Sequence, residues 1–208
     1  MRWIGGPPDA GKTTVARLLG EKHGLPVYHF DRHEMAHIRR ADPDRHSNLF
    51  ALRRSLETLD ERSWLDDAWV RQTVEEMARY AIACWGERVD LAVEDLLGMP
   101  VDRPIIAEGP GFFPEAILPL LGDRRHAIWL APTAAFKRAS HARRDKTAFR
   151  ARTSDPDRAY RNHVARDVLM AAHFRQALQQ LNLPFIEVDG KQDAGAIAAV
   201  IAWHFGLE

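Results

Sequence analysis

With one cysteine in 208 residues, the chain has no disulfide scaffold, because Cys84 has nothing in the sequence to pair with. It lies in an apolar helical stretch, where a small buried hydrophobe in a reducing compartment is the straightforward reading, and a cytoplasmic location is the expectation. No run of residues approaches the ~20 apolar positions that cross a bilayer. Met1 to Ala10 also lacks the apolar core of a signal peptide, so no membrane partner is expected. Net charge is missing too, since 29 Lys plus Arg stand against 29 Asp plus Glu. There is no internal repeat and no low-complexity linker. At this length folding buries roughly 70% of the unfolded surface, so one domain over residues 1–208 needs no structural metal. Monomer and homodimer both fit.

The balanced total conceals an uneven distribution. Residues 51–99 hold six Arg against eleven Asp or Glu, whereas residues 137–166 hold ten Lys or Arg against three Asp. The second segment calls for an anion. Stacking aromatics are scarce in it, with only Phe149 and Tyr160. A phosphate-bearing small molecule therefore suits it better than nucleic acid, which is not an expected partner.

Gly6-Pro7-Pro8-Asp9-Ala10-Gly11-Lys12-Thr13 satisfies G-x-x-x-x-G-K-[ST], the P-loop pattern. Gly6 and Gly11 permit backbone conformations that turn successive N–H groups inward around phosphate oxygens. Lys12 adds a point charge, Thr13 offers a hydroxyl to Mg²⁺, and the helix that follows turns its positive end to the same phosphates. Arg2-Trp3-Ile4 supplies a strand before the loop. Val15, Leu18 and Leu19 recur at helical spacing after it.

Further strands are expected at 26–30, 103–109, 126–130 and 183–190. A helix of about nine residues is expected at Arg32 to Arg40, and a terminal helix from Ala194 to Phe205. Between the second and third strands, Leu49, Leu52, Leu56 and Leu59 form one helical stripe. Trp69, Thr73, Met77, Ala81 and Cys84 form another, and Val89, Val93, Leu96 and Leu97 close a further helix. Strands alternating with helices predict an α/β fold with a parallel sheet covered on both faces.

The whole chain resembles the P-loop kinases of the nucleoside-monophosphate-kinase type, a group that includes shikimate kinase, gluconate kinase and chloramphenicol phosphotransferase. The resemblance rests on the loop at Gly6 to Thr13, Asp31 closing the second strand and a helical insertion at about 32–100. It continues with Glu108-Gly109 closing the third strand, an arginine-rich lid at about 138–166 and the late Val188-Asp189-Gly190 turn. It implies a three-layer α/β/α fold with a five-stranded sheet in the order 2-3-1-4-5, an acceptor held by the insertion and a lid closing over the phosphates.

It also implies ATP and Mg²⁺ as cofactors and transfer of the γ-phosphoryl group to a small-molecule hydroxyl or phosphate. In that reading residues 6–14, Thr14 included, hold the nucleotide, with Asp189 and Gly190 near it. Lys12 neutralises the β- and γ-phosphates, and Thr13 and Glu108 hold the metal. Asp31 approaches the acceptor as base; its alternative is a helix N-cap. Counting from Pro132 places the lid pair at Arg143 and Arg144, whose forked donors suit a transferring phosphoryl group. Arg138 stands beside the position that packs on adenine in relatives. Arg150, Arg152, Arg158, Arg161 and Arg166 are further lid candidates. On the acceptor side, Arg39, Arg40, Arg45, Arg53 and Arg54 suit an anionic group, or else pair with the acidic helices beside them. Phe112 and Phe113 either wall the pocket or belong to the core.

Two rival readings remain at this level. His33-Glu34-Met35-Ala36-His37 matches the zinc-hydrolase pattern H-E-x-x-H, with Glu57 at the interval of a third ligand, although Arg40 and Pro43 replace the extended motif. A non-catalytic nucleotide-binding module would need only the loop. A signalling GTPase is disfavoured, because Gly190-Lys191-Gln192-Asp193 lacks the Asn of the guanine motif.

Overall fold

β1 (Arg2–Gly5) is the middle strand, and its alternation sets the two faces of the sheet: Trp3 is buried on one side and Ile4 on the other. The computed structural model describes residues 1–100, 102–143 and 147–208, with backbone alone at 147 and 148. After the glycine loop come α1 (Lys12–His23), β2 (Val27–His29) and a 3₁₀ turn at Phe30–His33. The insertion comprises α2 (Glu34–Arg40), α3 (Ser47–Thr58), α4 (Glu61–Asp66), a π-helical turn at Asp67–Arg71 and the long α5 (Val74–Leu97). β3 (Ile106–Glu108), the short α6 (Pro114–Ile117) and β4 (Ala127–Pro132) return to the sheet. α7 (Ala134–Arg143), α8 (Thr147–Arg150), α9 (Pro156–Gln180), β5 (Phe185–Val188) and α10 (Ala194–His204) complete the chain.

All four strand pairings are parallel and the order is β2-β3-β1-β4-β5. This is the three-layer α/β/α architecture with the 2-3-1-4-5 sheet. α1 and α10 cover the Ile4 face, where Val15, Leu19 and Ile201 pack with Ile106, Ile128 and Leu130. α5 and α9 cover the opposite face, where Leu96, Phe174 and Leu178 pack with Trp3, Ala107 and Trp129. A sheet buried on both faces explains why these strands read as short apolar runs rather than as alternating ones.

Three expectations are corrected. The helix expected at Arg32 to Arg40 is a tight 3₁₀ turn followed by α2, and Asp31 caps neither, since neither element has a side-chain cap. The stripe from Trp69 to Cys84 is broken at Thr73. Its side chain accepts from the Glu76 N–H while the Glu76 carboxylate accepts from the Thr73 N–H, a capping box that starts α5 afresh and leaves Trp69 in the π-helical turn. From there α5 runs unbroken for 24 residues through both stripes the sequence suggested. Leu59 lies past the end of α3, and Leu59 and Leu97 are exposed.

Candidate active site

The site forms where β1 runs out beneath the sheet's topological switch, between β1, β3 and β4. Gly6 has φ 131°, and a Cβ there would come 2.3 Å from the Leu130 carbonyl oxygen, so only glycine fits. Gly11, at φ 87°, precedes α1 as its N-cap with no side chain capping it. The first N–H groups of that helix therefore face the loop without a side-chain partner at the cap. Lys12 is buried, and its Nζ donates to the Pro7 carbonyl at 2.9 Å. Burial lowers the affinity of its ammonium for the proton, and the carboxylates of Glu108 and Asp31 oppose that shift.

Parallel register brings the carboxylates to this loop: Glu108 on β3 lies opposite Ile4 of β1 and His29 of β2. Its Oε1 accepts from the Thr13 hydroxyl at 3.1 Å and from His29 Nδ1 at 2.8 Å. Its Oε2 is buried and has no hydrogen-bond partner among the described residues. A buried carboxylate oxygen left open beside the P-loop hydroxyl is the donor set a hard divalent cation takes. Thr13 and Glu108 thus fit Mg²⁺. Asp31, two residues past β2, has an exposed carboxylate that makes no hydrogen bond among the described residues. Desolvation by the protein around it raises its pKa and Glu108 adds to the rise, while Lys12 opposes it.

On the acceptor side the arginines are largely engaged. Arg40 closes its fork on Glu94 and Asp95, and Arg45 reaches Glu94 at 3.5 Å. Arg53 donates to the carbonyls of Arg39 and Ala41 with its guanidinium over Phe50, and Arg54 lies 3.6 Å from Glu57. Arg39 is exposed on α2. The side chain beneath Asp31 is instead Arg88 of α5, almost fully buried. It donates to the Phe30 carbonyl at 2.7 Å and to Glu34 at 3.1 Å, and it stacks on the Phe30 ring. Phe112 packs on Phe30 and Trp3, and Phe113 stacks on Phe174, so both phenylalanines are core.

His33, His37 and Asp95 do gather within 4.8 Å, as do His141, His163 and Asp167. Neither cluster has a metal's chemistry. Arg88 Nε lies 3.4 Å from His37 Nδ1, the ring nitrogen that would have to donate outward if Nε2 held a metal, and Glu34 is bound to the same arginine. His37 Nε2 instead meets Asp95 at 2.8 Å, and Glu57 pairs with Arg53 and Arg54. In the second cluster Lys137 and Arg166 already hold Asp167.

α7 turns Lys137, Ser140 and His141 inward. Arg138 lines an open groove with Tyr160, Val164 and Val168, while its neighbour Lys137 faces the loop. Arg143 is exposed at the end of α7, and Arg144 lies outside the described residues. Arg150 is buried against the Tyr160 ring, and Arg166 pairs with Asp167 and covers Trp69. Thr14 is exposed on α1. Asp189 accepts from the Lys191 N–H, and Gly190, at φ 89°, packs by Phe136. Sequence reasoning missed His29, Arg88 and Lys137.

The sequence matches no known protein-family model and no curated protein. Among solved structures the chain is similar to a deoxyadenosine kinase from M. mycoides with bound dATP, at 13% identity and a TM-score of 0.50. The match covers 99% of this chain and 100% of that one. At that identity the likeness is one of fold alone. No helix among the described residues is long and apolar enough to cross a membrane.

Proposed function

We propose that this chain is a phosphotransferase that moves the γ-phosphoryl group of ATP onto a hydroxyl of a small acceptor carrying no phosphate of its own. The observation that carries the reading is the convergence on one loop of a buried Lys12, a Thr13–Glu108 pair and Asp31, with Glu108 Oε2 and the Asp31 carboxylate free of hydrogen bonds among the described residues. Phosphoryl transfer asks mainly for positioning and charge neutralisation, and these groups supply both.

In this reading residues 6–14 cradle the phosphates, and Thr13 and Glu108 hold Mg²⁺, which when bound neutralises charge on the β- and γ-oxygens. The acceptor oxygen bonds to the γ-phosphorus, the bond from that phosphorus to the β–γ bridging oxygen breaks, the acceptor proton passes to Asp31 and ADP leaves. Arg143, at the end of α7, and Arg144, which follows it in the sequence, are assigned to the charge that spreads over the transferring group. The insertion at about 32–100 is the acceptor side and residues 138–166 the lid. A hydroxyl acceptor without phosphate is favoured because Arg40, Arg45, Arg53 and Arg54 are occupied by carboxylates or carbonyls. Asp31 and Glu34 are the exposed charges nearest to Arg88 and would repel an anion.

The test is ADP release from Mg-ATP against nucleosides, sugars, amino-sugar antibiotics and nucleoside monophosphates, with Lys12→Ala as the blank. Stimulation by one hydroxyl compound is expected. Stimulation only by a monophosphate would overturn the acceptor class, and ATP binding without turnover on any acceptor would make the chain a binding module.

A further inference from the structure

Pro7 and Pro8 leave part of the P-loop without N–H donors, and their carbonyls accept from two ammonium groups. Lys12 donates to the Pro7 carbonyl at 2.9 Å, and Lys137 of α7 donates to the Pro8 carbonyl at 2.6 Å. Lys137 is completely buried. A lysine in such a place is neutral or paired, and Asp167 of α9, equally buried, meets its Nζ at 3.1 Å. Asp167 also accepts from His141 at 3.0 Å and from Arg166 at 2.7 Å. Burial alone would raise its pKa, but these donors and cations hold it well below the ordinary carboxylate range.

Among the described residues, Lys137 and Arg166 thus both meet the carboxylate of Asp167, and the Lys137 ammonium lies against the loop. The charge of Lys137 is among those that act on Lys12. Arg166 carries the arrangement outward, since its guanidinium lies 4.5 Å over the Trp69 ring of the π-helical turn.

We propose that Lys137, held by Asp167, is a positioning residue of the phosphate site. It fixes the Pro7-Pro8 stretch through the Pro8 carbonyl and sets a second ammonium beside the cradle, so the loop discriminates in favour of a triphosphate. The inference rests on the P-loop's binding nucleotide phosphates and deepens that reading.

The experiment is calorimetric titration of Mg-ATP, Mg-ADP and AMP into the unmodified protein, Lys137→Met and the double variant Lys137→Met/Asp167→Asn, which removes both halves of the buried pair. Lys137→Met is expected to weaken Mg-ATP about tenfold or more, the scale of one charge-assisted contact. The preference for Mg-ATP over Mg-ADP should shrink, with AMP little changed, and the double variant should lose the same preference. Affinities reduced equally for all three ligands, or an unchanged ATP-to-ADP ratio, would make Lys137 a merely structural residue and overturn the proposal. Should Lys137→Met fail to fold, the ratio in the double variant decides. If the unmodified protein binds no triphosphate, the nucleotide reading falls together with this one; binding with an unchanged ratio in the variants removes this one alone.

Discussion

Glu108 performs two tasks with one carboxylate: its Oε1 joins Thr13 to His29, and its buried Oε2 has no hydrogen-bond partner among the described residues. Leaving such an oxygen unpaired is costly, on the scale of ~1–3 kcal/mol, so a site retains it where a ligand satisfies it. Glu108→Gln, similar in size, is therefore expected to bind ATP with little dependence on Mg²⁺, where the unmodified protein should bind more tightly as Mg²⁺ is added; titrations with and without the metal read this out. For Asp31→Asn, turnover should fall by about 10² or more with near-normal ATP affinity, the signature of a lost general base. Because Asp31 caps no helix, its melting temperature should barely move. The P-loop was legible because its eight residues are contiguous and their chemistry is local. Lys137 was not, because its partner carbonyl on Pro8 is 129 residues away and only the parallel crossover brings the two together. His29 and Arg88 escaped for the same reason: each acquires its role from a partner on another element.

At the scale of elements, the loop closing β3 and the turn closing β2 are packed on each other around one ring. A Cβ on Gly109 would come 2.3 Å from the Phe30 Cβ, and one on Gly111 would come 2.4 Å from the Phe30 ring. Arg88 lies over the ring, with its guanidinium carbon 4.0 Å from the ring centre, and holds the Phe30 carbonyl. α5 thereby sets the backbone that presents Asp31. Arg88→Met is expected to destabilise the fold by about 1–3 kcal/mol through the unpaired carbonyl, seen as a lower urea midpoint. It should also lower turnover at saturating ATP, because the Asp31 turn loosens; a normal turnover number in the folded variant would separate α5 from the site. The strands were legible as apolar runs and α10 as a continuous apolar helix. The start of α5 was misread because Trp69 happens to fall in helical register with Met77 across the break that Thr73 and Glu76 create.

For the whole molecule, the insertion is tied back to the sheet through Asp95, which takes His37, Arg40 and Tyr28 at once. Desolvation would raise its pKa, but these bonds outweigh it and hold it at about 2. A depressed carboxylate stabilises the fold above its unfolded pKa of ~3.9 and loses that contribution as pH falls toward 2. Melting temperature should accordingly drop between about pH 4 and pH 2. Asp95→Asn should melt lower than the unmodified protein at pH 7, with the gap closing across that interval; a gap constant with pH would mean that Asp95 acts through packing alone. The overall order of layers and strands follows from the alternation of motifs along the chain. The ion-pair web of the insertion does not, since nothing in the sequence says which of eleven acidic residues between 51 and 99 meets which arginine. The central claim, transfer rather than mere binding, is tested most directly by following the γ-phosphorus of ATP by ³¹P NMR with the acceptor that most stimulates ADP release. The account predicts a new phosphomonoester resonance growing in step with ADP and absent with Lys12→Ala. Inorganic phosphate as the sole product, at a rate indifferent to acceptor, would contradict it.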